Sequence, residues 1–545
     1  RSFLLGSGQD REARCASQSS RSAGRTTLVR SPAAIEGRSP ERIAARTALL
    51  GIPVRATTAS TLRDRTGCAA CSVRARSIRS KCPTIVSRDA ATSRHPLRRR
   101  PGRGGVLPGR LPGAITGRRR VPTHGAVTTY DHARLCADLF KKHADEIDGI
   151  LISLPNFGDE KGIADTLRLS GLRVPILVQA FPDDLDKFDV ANRRDSFCGK
   201  ISVCANLRQR NFDFTLTQDH CVYPYEVSFK EDLKKFCGVC RVVNKLRSAR
   251  FGAIGARPNA FNTVRYSEKL LESAGISVCT ADLSEIIGPS SRLSDDDKTV
   301  RAALEKINCY IPHPGVPDAS LTRMAKFKTV LDRWISDNAV DATAIQCWNS
   351  LQENFGINVC TLMSMMSEEL VPSACETDIT GVLSMYALQL AGTEPAIIVD
   401  WNNNYAQEKN KCVVFHCGNF AKCYVPDACM NNAKILATTM GTENTMGSVD
   451  GRIPAGNLTY ARVSTDDVNG CIRAYAGEGK FVDDELRTFG GRGVVEIPRL
   501  QQLMRFICAN GFEHHVAIAK NNLAEILVEA FEGYLGWETY LHETD

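Results

Sequence analysis

The chain has 545 residues, too many for a single hydrophobic core, so we expect several domains. Its composition, 43% hydrophobic and 24% charged, is typical of a globular protein. The net charge of +8 would favour a nucleic-acid or anionic partner, but residues 1–125 carry +20 and the remainder −12. Nucleic acid is therefore not expected as a partner of the folded part. No apolar run reaches the roughly 18 residues that a membrane-spanning helix needs, so no membrane partner is expected either.

The 21 cysteines are spread along a large chain, which favours reduced, buried thiols in a cytoplasmic protein over a disulfide framework. Those that lie in apolar runs are Cys136, Cys204, Cys279, Cys360 and Cys508. Two CxxC pairs occur, Cys68/Cys71 and Cys237/Cys240. Neither has a second pair of cysteines or histidines at zinc spacing, so we expect no structural zinc there.

Residues 1–125 differ from the rest of the chain. They contain 25 Arg but no Asn, Trp or Tyr, and they show no helical or strand periodicity. This composition cannot bury enough apolar area to offset chain entropy, so a disordered N-terminal extension is expected. An organelle-targeting extension and a nucleic-acid-binding tail are two interpretations. A stretch translated outside its reading frame is the third, favoured by the missing initiator Met and the absent Asn. No function is assigned to it.

From residue 126 the pattern alternates helices with apolar strands. An amphipathic helix precedes a strand at 149–154, and Gly171 separates the next helix from a strand at 174–180. This alternation predicts βαβ units around a parallel sheet, in a first α/β domain at 126–243.

A second α/β domain is predicted at 244–390, and a β-rich domain at 391–545. The predicted strands are 250–256, 342–348, 395–400 and 412–416. Helical patterns occupy 296–308 and 319–337. Beyond residue 440 short strands and Gly-rich turns dominate, and a helix at 521–535 is expected to close the chain.

Unusual polar residues gather near the ends of the later strands. Glu376 precedes a helix, Asp400 ends the strand AIIVD, and His416 ends CVVFH. His514 and His515 stand together before another strand. Carboxylate and imidazole donors suit Mn²⁺, Mg²⁺ or Fe²⁺ better than structural zinc, although such residues also serve as caps and ion pairs. Asp378 has the position of a helix N-cap.

Several separated motifs resemble one family. QCW at 346–348, VPSACETDITG at 371–381, the strand ending in Asp400 and the late HH pair resemble the L-fucose isomerase and L-arabinose isomerase superfamily, particularly its fucose-isomerase-like branch. ILVQAFPDDL and IGARPNAFNTVRYSEKLLESAGISV are similar to its first two domains. The Arg-rich segment stands where the family has its opening strand, so the resemblance implies that the first sheet lacks an edge. The resemblance implies two Rossmann-like α/β domains followed by a C-terminal β-rich, barrel-like domain. It also implies a homo-oligomer, a trimer or hexamer, with the active site where the second and third domains meet.

The resemblance also implies site residues. Glu376 and Asp400 match the two acidic metal ligands, which serve as the acid–base pair, and His515, in preference to His514, matches the C-terminal ligand. His416 falls where the arabinose branch has an additional histidine ligand. The residues implied to contact the sugar are Gln346, Trp348 and His514. The implied cofactor is a divalent ion, foremost Mn²⁺, and the implied substrate is a monosaccharide.

The reaction implied is aldose–ketose isomerisation. Moving a carbonyl between C1 and C2 removes a carbon-bound proton, and a divalent ion at O1 and O2 stabilises the enediolate. One carboxylate moves the carbon-bound proton and the other the hydroxyl proton. The alternative is a non-catalytic sugar-binding protein on the same scaffold. A nucleotide-binding oxidoreductase is disfavoured because GAIGARPNA lacks the third glycine of the fingerprint. Nucleic-acid binding through the Arg-rich segment is the remaining class.

Overall fold

The computed structural model describes residues 84–86 and 126–543. Within them the strands form three sheets, two parallel sheets of four strands and one mixed sheet of nine. The expected mixed α/β character is therefore confirmed.

The first sheet has the strand order β1-β2-β3-β4. Its strands are β1 (Thr84–Val86), β2 (Ile150–Leu154), β3 (Ile176–Ala180) and β4 (Thr215–Leu216). The accompanying helices are α1 (Tyr130–Lys142), α2 (Glu160–Ser170), α3 (Ser196–Gln209) and α4 (Val227–Leu246). Asp159 caps α2 by accepting the Gly162 amide proton, and Gly171 ends the helix at φ 72°, a conformation that glycine adopts without strain. This is the predicted helix–Gly–strand unit.

Strand β1 corrects one expectation. Its three residues pair in parallel with Leu151, Ile152 and Ser153, so the first sheet has an edge strand beside β2. That strand comes from the Arg-rich segment, where three residues are too few to show a periodicity. The other residues of 1–125, and with them the expectation of disorder, lie outside the described residues, as do Cys68 and Cys71.

The second sheet has the order β6-β5-β7-β8. Its strands are β5 (Arg250–Ile254), β6 (Ser277–Ala281), β7 (Ala342–Ile345) and β8 (Ser373–Cys375). The helices are α5 (Glu268–Ser273), α6 (Leu283–Arg292), α7 (Lys298–Tyr310), α8 (Asp318–Asp337), α9 (Ser350–Asn354), α10 (Cys360–Glu368) and α11 (Ile379–Gly392). The helical patterns at 296–308 and 319–337 correspond to α7 and α8.

The third sheet follows the order β11-β12-β15-β10-β9-β16-β13-β14-β17. Its strands are β9 (Ile397–Tyr405), β10 (Glu408–His416), β11 (Cys429–Asn432), β12 (Met446–Arg452), β13 (Gly456–Asp466), β14 (Cys471–Val482), β15 (Gly491–Glu496), β16 (His515–Lys520) and β17 (Glu538–His542). Strand β15 pairs with both β10 and β14, so six strands form a closed ring of pairings. The helices are α12 (Lys434–Met440), α13 (Leu500–Asn510) and α14 (Ala524–Val528), which continues as a π-helix over Glu529–Leu535.

Helix α11 joins the second and third sheets. Every residue from Ile379 to Ala391 is buried, as expected for a helix that is apolar on all sides. It packs against β7 on one side and against β13 and β16 on another. Helix α11 thereby fixes the position of the second sheet relative to the third sheet.

Three smaller expectations are corrected. The helix near 521–535 does not close the chain, because β17 follows it. The strands beyond residue 440 include two long ones, β13 and β14. Among the cysteines in apolar runs, Cys508 is exposed, whereas Cys136 and Cys360 are buried and Cys204 and Cys279 are half-buried. In the described part of the chain no helix combines the length and the apolar character needed to cross a membrane.

Candidate active site

Three residues from separate stretches of the chain meet at one point. Asp400 on β9 and His515 on β16 are directly opposite each other in an antiparallel pair. Glu376 reaches them from the second sheet, since it immediately follows β8. His515 Nε2 lies 3.0 Å from Glu376 Oε2 and 3.3 Å from Asp400 Oδ1. The structure thus brings together the three residues that the resemblance implies as metal ligands.

The atoms that meet there have no hydrogen-bond partners. Glu376 Oε2, Asp400 Oδ1 and His515 Nε2 are all buried and unpaired among the described residues. A buried polar atom without a partner costs about 1–3 kcal/mol, and more if it is charged. Adjacent ligands of an octahedral ion with bonds of about 2.1 Å lie about 3 Å apart, close to the two distances measured from His515. Two overlapping groups have ligand atoms within 4.8 Å of one another, Glu376–His416–His515 and Asp400–His514–His515, and their carboxylate and imidazole donors suit a divalent cation.

A buried ionic network orients His515. Its Nδ1 lies 2.8 Å from Asp378 Oδ2, and Arg462 holds the same carboxylate with two hydrogen bonds of 2.6 and 2.9 Å. Glu513 accepts from Arg462 Nε at 3.1 Å. Because Nδ1 donates to a carboxylate, Nε2 is the nitrogen that faces Glu376 and Asp400, and it can bind an ion once it gives up its proton. This arrangement is how proteins usually orient an imidazole ligand.

The charges of this network shift several pKa values. Burial alone would lower the pKa of His515, but its hydrogen bond to Asp378 and the adjacent Glu376 carboxylate raise it to about 10. Burial would raise the pKa of Asp378, yet Arg462 and His515 hold it far below its usual range. The pKa of Glu376 is also lowered despite burial, by its contact with His515 and by the charge of His416. The carboxyl groups of Asp378 and Glu376 are therefore both ionised near neutral pH.

The backbone at Glu376 is strained. Glu376 and Thr377 both have φ of 58°, a left-handed conformation that costs non-glycine residues roughly 1–2 kcal/mol each. The Trp348 indole donates to Glu376 Oε1 at 3.0 Å, which leaves Oε2 directed at His515. Directly after this turn, Asp378 Oδ1 accepts the Gly381 amide proton at 2.8 Å and caps α11. The predicted capping role of Asp378 is confirmed, and the same side chain also orients His515.

His416 lies beside this centre but is turned differently. Its Nε2 is 3.8 Å from Glu376 Oε2, and its Nδ1 accepts the backbone amide proton of Cys417 at 3.1 Å. Nε2 carries a proton both in the charged ring and in the neutral ring whose Nδ1 accepts. In this orientation His416 offers a hydrogen-bond donor to the cavity rather than a lone pair to an ion. Its implied role as a ligand is therefore less favoured by the geometry than that of His515.

A cavity of about 310 Å³ adjoins the three converging side chains. This volume lies at the lower end of the range for small-molecule pockets, about 300–1,000 Å³. Its lining combines aromatic rings, the site residues and several polar side chains: Phe261, Trp348, Glu376, Asp400, Phe415, His416, Cys417, Asn432, Ala433, Lys434, Ile435, Leu436, Ser448, Asp450, Phe489 and Gly490. A larger hollow of about 910 Å³, between α8, α9 and α12, contains none of the predicted site residues.

The remaining predicted sugar contacts divide into two groups. Trp348 lines the cavity. Gln346 does not, because its Oε1 accepts the Ala256 amide proton at 2.9 Å and fixes the loop after β5. His514 lies at the side, with Nε2 3.5 Å from Asp400 Oδ1 and its ring against Phe261. Burial, and then the charge of His515, lower the pKa of His514, so this ring is neutral.

Sequence reasoning missed two groups of residues. Arg462 and Glu513 were not considered, although an arginine within the apolar strand LTYARVS and an acid directly before the HH pair were visible signals. The second group consists of the residues of α12 and its neighbours that line the cavity, including Lys434. They have no comparable signal, because the spacing of these residues in the sequence does not indicate that they face a cavity.

Comparisons with known proteins find similarity in two parts of the chain. Residues 114–247 match a family described as fucose/sulfoquinovose isomerase, N-terminal domain, and residues 414–542 match the L-fucose isomerase, C-terminal domain. The chain is 27% identical over 346 residues to a sulfoquinovose isomerase of Priestia aryabhattai, covering 62% of this chain and 74% of that protein. It is 26% identical over 316 residues to a sulfoquinovose isomerase of Alkalicoccus urumqiensis, covering 56% and 68%. A solved protein of Pyrococcus horikoshii aligns at a TM-score of 0.18 and 10% identity over 49% of this chain and 57% of its own, too weak to bear on the fold.

These matches define an enzyme of the aldose–ketose isomerase class. Within that class the chain matches the N-terminal and C-terminal domains of the fucose-isomerase-like family, and the resemblance seen in the motifs is confirmed. Glu376 and Asp400 lie between the two matched ranges, whereas His416 and His515 lie inside the second.

Proposed function

We propose that the chain is a metal-dependent isomerase that interconverts an aldose and a ketose of one monosaccharide through an enediolate. The observation that carries this proposal is the convergence of three buried, unpaired ligand atoms beside a sugar-sized cavity. Glu376, Asp400 and His515 hold a divalent ion, with Mn²⁺ the preferred species because the donors are two carboxylates and one imidazole. When bound, the ion stabilises negative charge that develops on the two sugar oxygens.

The two carboxylates have different surroundings, which supports different tasks. The Asp400 side chain is 22% exposed and that of Glu376 only 6%. Asp400 therefore has the better access to a bound sugar, and we assign it the carbon-bound proton. Glu376 is fixed by Trp348 and stands beside His416, so this pair is placed to move the hydroxyl proton. His416 donates from Nε2 to a sugar oxygen.

A sulfonated hexose is the substrate class that the relatives favour, because the matched proteins are named sulfoquinovose isomerases. Recognition of a sulfonate needs a cation, and Lys434 is the cationic side chain that lines the cavity within the described residues. Its ammonium group is 3.8 Å from Asp450 Oδ2, a distance that leaves it free to turn towards an anion. Arg492, at 2.6 Å, already neutralises Asp450. Fucose and arabinose are the neutral alternatives.

The assembly and layout proposed from the resemblance have separate support. The closed ring of six strands fits a barrel-like third domain. The large apolar side chains exposed near the first sheet fit a homo-oligomer, a trimer or hexamer. They are Leu185, Phe188, Val190, Phe197, Ile201, Leu216, Tyr225 and Val227. The isomerase is proposed to act in the cytoplasm.

The deciding experiment is a sugar panel assayed on the full chain with Mn²⁺ and with a chelator. Sulfoquinovose, L-fucose and L-arabinose are each followed for ketose formation. We expect turnover with Mn²⁺, loss in chelator, and loss in Glu376→Gln with the fold retained. Glu408→Gln, at an exposed position of β10, is the matched control and should be fully active. Full turnover in chelator, with no metal in the protein, would refute the proposal. Sugar binding without turnover would support the non-catalytic alternative.

The assignment of the two carboxylates is tested by isotope exchange. In deuterated water, Asp400→Asn should abolish incorporation of deuterium at the sugar carbon. Equal incorporation in Asp400→Asn and in the unaltered protein would show that another group moves the carbon-bound proton.

A further inference from the structure

Four buried cysteines lie together directly behind the candidate active site. The sulfur atoms of Cys360, Cys375 and Cys417 are all within 4.8 Å of one another. The thiol of Cys347 lies against that of Cys375. We call these four residues the thiol cluster. Each of them is a free cysteine.

The thiol cluster is tied to the site by the chain itself. Cys347 precedes Trp348, Cys375 precedes Glu376, and Cys417 follows His416. Cys417 Sγ is 3.5 Å from His416 Nδ1, on the side of that ring away from Glu376. The cluster and the three converging ligand atoms are thus neighbouring but separate groups of donors, one of sulfur and one mainly of oxygen.

The spacing of the sulfurs suits metal coordination. Thiolates bind zinc at about 2.3 Å, which places the sulfurs of a tetrahedral site about 3.8 Å apart. Sulfurs within 4.8 Å reach that spacing by movements of about an ångström or less. Three thiolates also suit a monovalent copper ion, because soft sulfur donors prefer soft cations. Oxygen-preferring ions such as Mn²⁺ and Mg²⁺ are poorly suited to such a site.

An ion can reach the cluster from the cavity. Cys417 is half-buried and lines the cavity, whereas Cys347, Cys360 and Cys375 are fully buried behind it. Cys360, on α10, is the member farthest in sequence from any site residue. It can therefore be altered without replacing a residue of the proposed catalytic machinery.

We propose that the thiol cluster is a second metal site, which binds a thiophilic cation, Zn²⁺ or Cu⁺, in addition to the ion held by Glu376, Asp400 and His515. Binding of Cu⁺ by three thiols forms three metal thiolates and releases three protons to solvent, and binding of Zn²⁺ by four thiols releases four, with no change of oxidation state. Cys347 supplies the fourth donor for Zn²⁺, and Cu⁺ needs only the other three.

Cobalt absorption distinguishes the two kinds of site. The full chain, kept reduced and supplied with excess Mg²⁺, is titrated with Co²⁺. We expect one equivalent to produce thiolate-to-cobalt absorption in the near ultraviolet, together with the strong visible bands of tetrahedral cobalt, and Zn²⁺ to abolish both. Cobalt bound by carboxylates and imidazole gives no thiolate absorption.

Two variants provide the test and its control. Cys360→Ala should lose the thiolate absorption while keeping its Mn²⁺-dependent turnover and its melting temperature within a few degrees. Cys412→Ala removes a buried cysteine of β10 outside the cluster and should keep the absorption. Cys347→Ala should abolish the tetrahedral bands and retain binding of one Cu⁺.

The outcomes separate the two ions. Cobalt bands that Zn²⁺ removes support a zinc site. No cobalt bands, but one tightly held Cu⁺ that is lost in Cys360→Ala, supports a copper site. Retention of neither ion, or equal retention by the unaltered chain and Cys360→Ala, overturns the proposal. Because the readout is absorption and metal content, this result is independent of whether the isomerase proposal holds.

Discussion

Asp378→Asn isolates the charge that orients His515. Asparagine is as good an N-cap as aspartate, so the start of α11 is preserved. What is lost is the negative charge that accepts from His515 Nδ1 at 2.8 Å and pairs with Arg462. Removing one partner of a buried ion pair costs about 3–5 kcal/mol of the free energy of unfolding. Glu513 still pairs with Arg462 at 3.1 Å, so we expect the lower end, about 3 kcal/mol.

The same change weakens metal binding. Loss of a group that orients a histidine ligand typically reduces metal affinity about 10–100-fold. Asp378→Asn also lowers the pKa of His515, which reduces competition from protons, so we expect about a tenfold loss near neutral pH. The assay is Mn²⁺ titration followed by electron paramagnetic resonance of the free ion, on protein shown to be folded. Asp297→Asn, at the half-buried N-cap of α7, is the control and should bind as before. An affinity for Mn²⁺ that stays within twofold would refute this role of Asp378 and His515.

Three further predictions follow from the same geometry. Trp348→Phe removes the 3.0 Å hydrogen bond to Glu376 and should lower kcat about tenfold at nearly unchanged melting temperature, whereas unaltered kcat would contradict the positioning role. The pKa of His515 is raised to about 10, so its positive charge stabilises the folded, metal-free protein. This contribution to the free energy of unfolding is complete below about pH 6.5 and is lost as the pH rises through 10. Mn²⁺ binding near neutral pH should therefore release about one proton, measured by calorimetry in buffers of different ionisation enthalpy; no release would contradict the ligand assignment. Phe197→Asp, at a side chain 58% exposed, should reduce the oligomer in analytical ultracentrifugation, and an unchanged mass would place the interface elsewhere.

The alternating part of the fold was readable from the sequence because its signals are local. Gly171 and the apolar run of β3 mark a helix end and a buried strand within a few residues of each other. Strand β1 gave no such signal, since three residues in an Arg-rich stretch carry no measurable period. The closed ring of the third sheet depends on pairings between strands far apart in the chain, which no local pattern encodes.

The candidate site was recognisable by resemblance, but its geometry was not. Asp400 and His515 are 115 positions apart in the sequence, and only the register of β9 and β16 makes them neighbours. Asp378 was correctly predicted to cap a helix. Its contacts with Arg462 and His515 were not predictable, because those two residues lie on strands far away in the sequence. The left-handed turn at Glu376 is equally unexpected, because neither Glu376 nor Thr377 favours that conformation.

The cavity has two walls of different origin. One contains Glu376 and Asp400, the proposed metal ligands, and His515, which a buried ionic network orients, lies against both of them. The other is built from α12 and the adjoining strand ends around Lys434, where no side chain of the helix is buried. The reaction and the choice of sugar can therefore change independently of each other. Exchanging α12 between relatives is expected to change which sugars are accepted while the residues of the opposite wall stay the same.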